Sequence, residues 1–174
     1  MSYIDSGKAD GATCHLGGGR FSSEGYYIEP TIFTDTTPEM KIVKEEIFGP
    51  VGVVIKFEDD EGGCLSFTLN PALCVPFPAH PLRPVKETLT RYWCVDVIRM
   101  ANDTVYGLAA AVFSQNIGRA ITATHKLRAG TAWVNCYNVF DPQMPFGGYK
   151  QSGIGRELGE YALAKYVIIF SLVF

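Results

Sequence analysis

The chain has 174 residues, the length of one domain, and its 47% apolar content is enough to bury a core. A net charge of −3 gives no electrostatic case for nucleic acid or an anionic membrane as partner. Met1-Ser2-Tyr3-Ile4-Asp5 has neither a basic nor an apolar signal region, and the longest apolar run, Val167 to Phe174, is too short to span a bilayer. The cysteines, at 14, 64, 74, 94 and 136, form no CxxC pair. No zinc ribbon, redox dithiol or other metal site is therefore expected, and the odd count points to reduced thiols in the cytoplasm.

In chain order, Tyr3 to Ala12 reads as the tail of a helix and a glycine-punctuated turn, with a short strand before Gly17-Gly18-Gly19. The triple glycine lacks the Lys-Ser/Thr and the helix of a phosphate loop, so it is expected to be a turn. Tyr26 to Phe33 reads as a strand bent by Pro30, and Thr36 to Met40 as a helix or turn start with Pro38 near its first position.

Next comes Lys44-Glu45-Glu46-Ile47-Phe48-Gly49-Pro50. Gly49 is expected to let the backbone bend, and Pro50 to fix the approach to a buried strand over Val51–Phe57. That puts the Glu46 carboxylate next to a core element, where a charge needs a function. Otherwise the pair Glu45-Glu46 is a solvated surface and Phe48 a core ring.

From Gly62 to about Asp96 the character changes. This stretch holds five of the ten prolines and three of the five cysteines, and it shows neither a helical nor a strand period. Its apolar side chains, among them Leu65, Phe67, Leu73, Tyr92 and Trp93, are too many for a solvated linker, while its prolines deny it regular structure. Translated non-coding sequence, such as a retained intron, is the simplest origin. A genuine insertion that docks on a partner is the alternative.

Order resumes with a helix from Asp96 as cap. Gly107 to Phe113 is a buried strand. A helix capped by Ser114 or Asn116 follows, with Ile117, Ala120, Ile121, Thr124 and Leu127 on its inner face and Gly130 as its stop. Thr131 to Asn135 is the next strand, so strand, helix and strand make a βαβ unit and a partly parallel sheet. A loop from Cys136 to Arg156 leads to a helix at Glu157–Tyr166 and a last strand. Gly153, Gly155 and Gly159 have the wrong spacing and context for a dinucleotide fingerprint and read as a turn. Cys136 has no charge nearby to activate it and reads as a small buried apolar residue.

Several segments, in order, resemble the aldehyde dehydrogenase family: Glu46-Ile47-Phe48-Gly49-Pro50, Gly107 to Phe113, Gly130-Thr131-Ala132-Trp133-Val134-Asn135, and Pro145-Phe146-Gly147-Gly148-Tyr149-Lys150-Gln151-Ser152-Gly153. The resemblance implies an α/β fold, the carboxyl-terminal portion of the family's catalytic domain, with flanking helices and an oligomerisation strand, interrupted at about 62–96. It implies an oxidoreductase that converts an aldehyde to a carboxylic acid with NAD or NADP, as a homo-oligomer. Glu46 would accept hydrogen bonds from the nicotinamide ribose hydroxyls, since a carboxylate offers a diol two acceptor oxygens. Phe48 would pack near the nicotinamide, and Phe140 and Phe146 would line the passage for the aldehyde's apolar tail. The family's nucleophile lies in a Gly-Gln-x-Cys stretch that these 174 residues do not contain, so no catalytic residue is assigned. An inactive chain that only associates with full-length subunits is the alternative reading.

Overall fold

The computed structural model describes residues 1–58, 66–68, 92–164 and 166. The chain divides into two compact units, Met1–Gly62 with Ala72–Met100 and Gly63–Pro71 with Ala101–Phe174.

In the first unit, helix α1 (Ser2–Ala9) turns Ile4 and Gly7 inward. A Cβ on Gly7 would lie 2.9 Å from Ile42 Cδ1 and 3.1 Å from Phe33 Cζ, so only glycine lets the helix close on these side chains. Strand β1 (Thr13–Leu16) pairs antiparallel with β2 (Thr31–Thr34). Between them Gly17 and Gly18 take φ of +69° and +93°, and a Cβ on Gly17 would meet the Pro30 carbonyl. The triple glycine is thus a tight turn, as expected. The strand expected from Tyr26 is shorter than the pattern suggested. Before Pro30 there is only the bridge Arg20 to Ile28, because proline has no N–H to continue the ladder.

The chain then turns through Thr36–Met40, where the Thr37 hydroxyl donates to Glu39 and holds its carboxyl below the usual range. Helix α2 (Lys41–Lys44) follows, capped at Met40 rather than started at Pro38. Strand β3 (Val51–Val53) runs parallel to β2. The expected strand Val51–Phe57 breaks after Val53, the last residue in register with β2, with Val54 N donating to the Phe33 carbonyl at 2.9 Å. Gly49 has no positive φ and open space where a Cβ would stand, so its bend does not require glycine. The core of this unit is Ile4, Ala12, Phe33, Ile42, Ile47 and Val51.

The stretch 62–96 lies mostly outside the described residues. Its described parts are regular, contrary to the expectation from composition. After β4 (Phe57–Glu58), Ser66–Thr68 forms β5, and Tyr92–Trp93 forms β6, which pairs parallel with β4. Open edges supply backbone partners whatever the side-chain pattern. Helix α3 (Cys94–Asn102) begins two residues before Asp96, which sits in its first turn instead of capping it.

In the second unit, β7 (Ala109–Phe113) is buried along Ala109–Val112. Helix α4 (Ile117–Lys126) starts at Asn116, whose side chain accepts from Arg119 N at 3.1 Å. Strand β8 (Thr131–Val134) lies parallel to β7, completing the βαβ unit, and β5 pairs antiparallel with β7's other edge. The inner face of α4 is Ala120, Ala123 and Leu127. Ile117 and Ile121, expected inside, are 57% and 45% exposed. Small residues let the helix close on the alanines of β7, where isoleucines would hold it off. The helix ends with Leu127 extended, so Gly130 is not its stop. Gly130 instead lies against the Gly147 carbonyl, in the space a Cβ would take. A 3-10 turn, Lys150–Ser152, and helix α5 (Gly159–Leu163) follow. Helix α5 starts later than Glu157, because Glu157 exchanges two 2.7 Å backbone hydrogen bonds with Phe146 and Leu158 sits at φ +61°. The expected last strand, 167–174, lies outside the described residues.

Candidate functional site

The first group of candidate residues stands where α2 gives way to β3. Glu45 turns extended and ends the helix. Its carboxylate accepts the Tyr3 hydroxyl at 2.8 Å and faces Lys41 Nζ at 3.9 Å, with Lys41 Nζ 5.0 Å from the centre of the Tyr3 ring. Glu45 is therefore engaged in holding α1 to α2. Burial then alternates: Glu46 is exposed, Ile47 enters the core, and Phe48 is 94% exposed. Ile47 anchors the segment from between the two outward residues. Among the described residues the Glu46 carboxylate makes no hydrogen bond or ion pair.

These residues fit a nicotinamide nucleotide. An unpaired carboxylate keeps both oxygens free for a cis-diol. A phenylalanine ring is costly to leave in water, so Phe48 is suited to being covered by a flat apolar surface.

The second group belongs to the other compact unit. Phe140 and Phe146 meet edge to face, centroids 5.0 Å apart at 81°. Phe146 is half-buried and fixed by its bridge to Glu157; Phe140 is 47% exposed. Two residues that the sequence did not single out pack behind this wall. Trp133, 8% exposed, meets Phe140 at 5.8 Å and 88° and Tyr137 at 5.2 Å and 61°. Its indole N–H donates to the Val139 carbonyl at 2.8 Å. The available signal was that a buried tryptophan needs an acceptor for its N–H.

Lysine and arginine side chains brace the loop behind this wall. Lys150 Nζ donates to the carbonyls of Asn102 and Thr104 at 2.7 and 2.9 Å, and Arg156 to those of Gly148 and Gly155 at 2.8 and 2.7 Å. Cys136 is partly buried against the cluster of Ala109, Ala111 and Trp133. Among the described residues no three His, Cys, Asp or Glu side chains gather as a metal site, and no helix is long and apolar enough to cross a membrane.

Comparison with known proteins shows the family. The profile of the aldehyde dehydrogenase family matches residues 1–64 and 89–171, and the chain belongs to that family. It is 57% identical over 166 residues to an aldehyde dehydrogenase of Agaricus bisporus, covering 95% of this chain and 26% of that protein. It is 42% identical over 173 residues to the mitochondrial benzaldehyde dehydrogenase of Antirrhinum majus, covering 99% of this chain and 26% of that one. Among solved structures, the NAD+ complex of aldehyde dehydrogenase from Bacillus cereus superposes with a TM-score of 0.70 at 44% identity, over 95% of this chain and 27% of that chain. The chain thus spans about a quarter of the length of the relatives it matches.

Proposed function

We propose that this chain supplies the nicotinamide-positioning carboxylate and the aromatic substrate wall of an NAD(P)-dependent aldehyde dehydrogenase, which oxidises an aldehyde to a carboxylic acid. The observation that carries the reading is the contrast between the adjacent carboxylates: Glu45 is engaged with Tyr3 and Lys41, while Glu46 is free and flanked by an exposed Phe48. A nicotinamide bound there would supply the two-electron acceptor that the oxidation needs. Glu46 orients the ribose through its two oxygens, and Phe48 shields one side of the ring from water. Phe140 and Phe146 receive the aldehyde's apolar portion, with Trp133 and Tyr137 behind them. Homo-oligomeric assembly belongs to the same reading. So does a cytoplasmic setting, which the free thiols of Cys14 and Cys136 support.

The test is Glu46→Gln in a complete subunit carrying this segment, read by NAD+ affinity and turnover. Loss of either supports the assignment, and wild-type values for both overturn it. A second reading has a specific observation behind it. These 174 residues hold no Gly-Gln-x-Cys stretch, and none of the residues assigned here makes or breaks a bond. The chain by itself is then a non-catalytic partner of full-length subunits.

A further inference from the structure

We propose that Trp133 is the positioning residue that sets where Phe140 stands, and through it the enzyme's preference between ring-bearing and short aldehydes. This rests on the reading of Phe140 and Phe146 as the wall of the aldehyde passage.

The two phenyl rings are held in different ways. Phe146 is fixed by its own backbone, through the paired hydrogen bonds with Glu157. Phe140 makes no backbone hydrogen bond among the described residues, and nearly half of it is open to solvent. It lies on a loop that leaves β8 through two left-handed residues, Asn135 at φ +54° and Asn138 at φ +56°. The start of that loop is clamped: Asn135 Oδ1 accepts from Ser114 N at 2.7 Å, and its Nδ2 donates to Ser114 O at 2.9 Å. Its far end is turned by Asp141, which accepts from Gln143 N at 2.9 Å.

Between these anchors, Trp133 holds Phe140 in two ways. The indole N–H takes the carbonyl of the preceding residue, Val139, and the indole ring meets the Phe140 ring at 88°. Trp133 itself cannot shift easily. It is buried in β8, in register with Ala111, which is fully buried in β7. The two rings meet edge to face 5.0 Å apart, so where Phe140 stands sets the shape of the exposed aromatic surface on which a flat substrate packs, whereas a two-carbon aldehyde covers too little of it to feel the change. Trp133 therefore acts through Phe140 and touches no substrate.

The test uses the complete subunit carrying this segment, with benzaldehyde and acetaldehyde as probes. Trp133→Phe removes the N–H and shortens the ring. If that variant does not fold, 3-benzothienylalanine at position 133 keeps the indole's shape and removes only the N–H. With folding checked by thermal melting, the kcat/KM for benzaldehyde is expected to fall roughly tenfold, mostly through KM, a size typical of altered pocket contacts. Acetaldehyde kcat/KM and NAD+ affinity should stay within about twofold. Equal losses for both aldehydes, or no loss for either, would overturn the proposal. Phe140→Ala separates the two levels of the argument. If it leaves the benzaldehyde-to-acetaldehyde ratio unchanged, the passage reading falls and the Trp133 proposal with it. If it shifts the ratio and the Trp133 variants do not, the passage reading stands and the positioning role alone is overturned.

Discussion

Two neighbouring glutamates with the same chemistry stand in different surroundings: among the described residues Glu45 is paired and Glu46 is not. Glu45 accepts from Tyr3 across 42 positions of sequence, and its ion pair with Lys41 is half exposed on both sides. Exposed pairs of this kind contribute about 0.2–1 kcal/mol. Glu45→Gln should therefore lower the stability of the fold by no more than that, as measured by denaturant midpoint, and leave cofactor binding alone. Glu46→Gln should do the reverse. The Glu46 carboxylate makes no hydrogen bond or ion pair among the described residues, so the denaturant midpoint stays put. In a complete enzyme, on the proposed function, the substitution replaces one of the two acceptor oxygens offered to the ribose with a donor NH2. A hydrogen bond to a charged group contributes roughly 1.5–3 kcal/mol, so hydride transfer should slow by about ten- to a hundredfold. The crossed result, with Glu45 affecting turnover and Glu46 affecting stability, would reverse the assignment.

At the scale of elements, glycines show which close approaches the fold depends on. A Cβ on Gly130 would run into the Gly147 carbonyl, where backbone meets backbone and neither can yield as a side chain can. Gly130→Ala is therefore expected to destabilise by about 1–3 kcal/mol, the usual cost of overpacking. Gly49 has open space around it, and Gly49→Ala should change stability by less than about 0.5 kcal/mol. Denaturant unfolding of the two variants checks both, and equal effects would show that the space at these positions does not matter. The sequence carries some of this and not the rest. The unbroken apolar run of β7, the Asn116 cap and the βαβ spacing are local patterns, and all three are present in the structure. On α4, Ala120 and Leu127 are inside as the helical period implies, but Ile117 and Ile121 are not, because hydrophobicity ranks isoleucine above alanine while close packing on β7 favours the smaller residue. The end of β3 at Val53 is set by its register with β2, which no local pattern records. Phe140 and Phe146 came from the family resemblance. Trp133 and Tyr137 did not, because their part depends on the 136–140 loop folding back over β8. That is a tertiary fact.

For the whole molecule, the questions are what 174 residues do alone and what the unmatched stretch contributes. Every site residue assigned here binds or positions, so the purified chain is expected to form no NADH from NAD+ and aldehydes; thiol-dependent turnover would refute this. The family profile leaves residues 65–88 unmatched, yet Ser66–Thr68 within them forms β5 on the edge of β7. Without β5 that edge would present unpaired backbone groups along Ala111–Phe113, in a strand with no charge to discourage pairing with another chain. The stretch thus adds an edge cover, whatever its origin. Phe67 and Thr68 stand opposite Val112 and Ala111, and in an antiparallel ladder alternate residues turn their N–H to the partner, so the double variant Phe67→Pro/Thr68→Pro removes the donor that faces β7 whichever of the two carries it. Hydrogen exchange at the β7 amides facing β5 should then quicken, and the protein should self-associate at concentrations where the parent does not. The amides facing β8, on the other edge, should keep their protection and so report that the βαβ unit is intact. Unchanged exchange on the β5 side would mean that β7 does not rely on this strand. Faster exchange on both sides would mean that the variant has unfolded the unit rather than uncovered its edge.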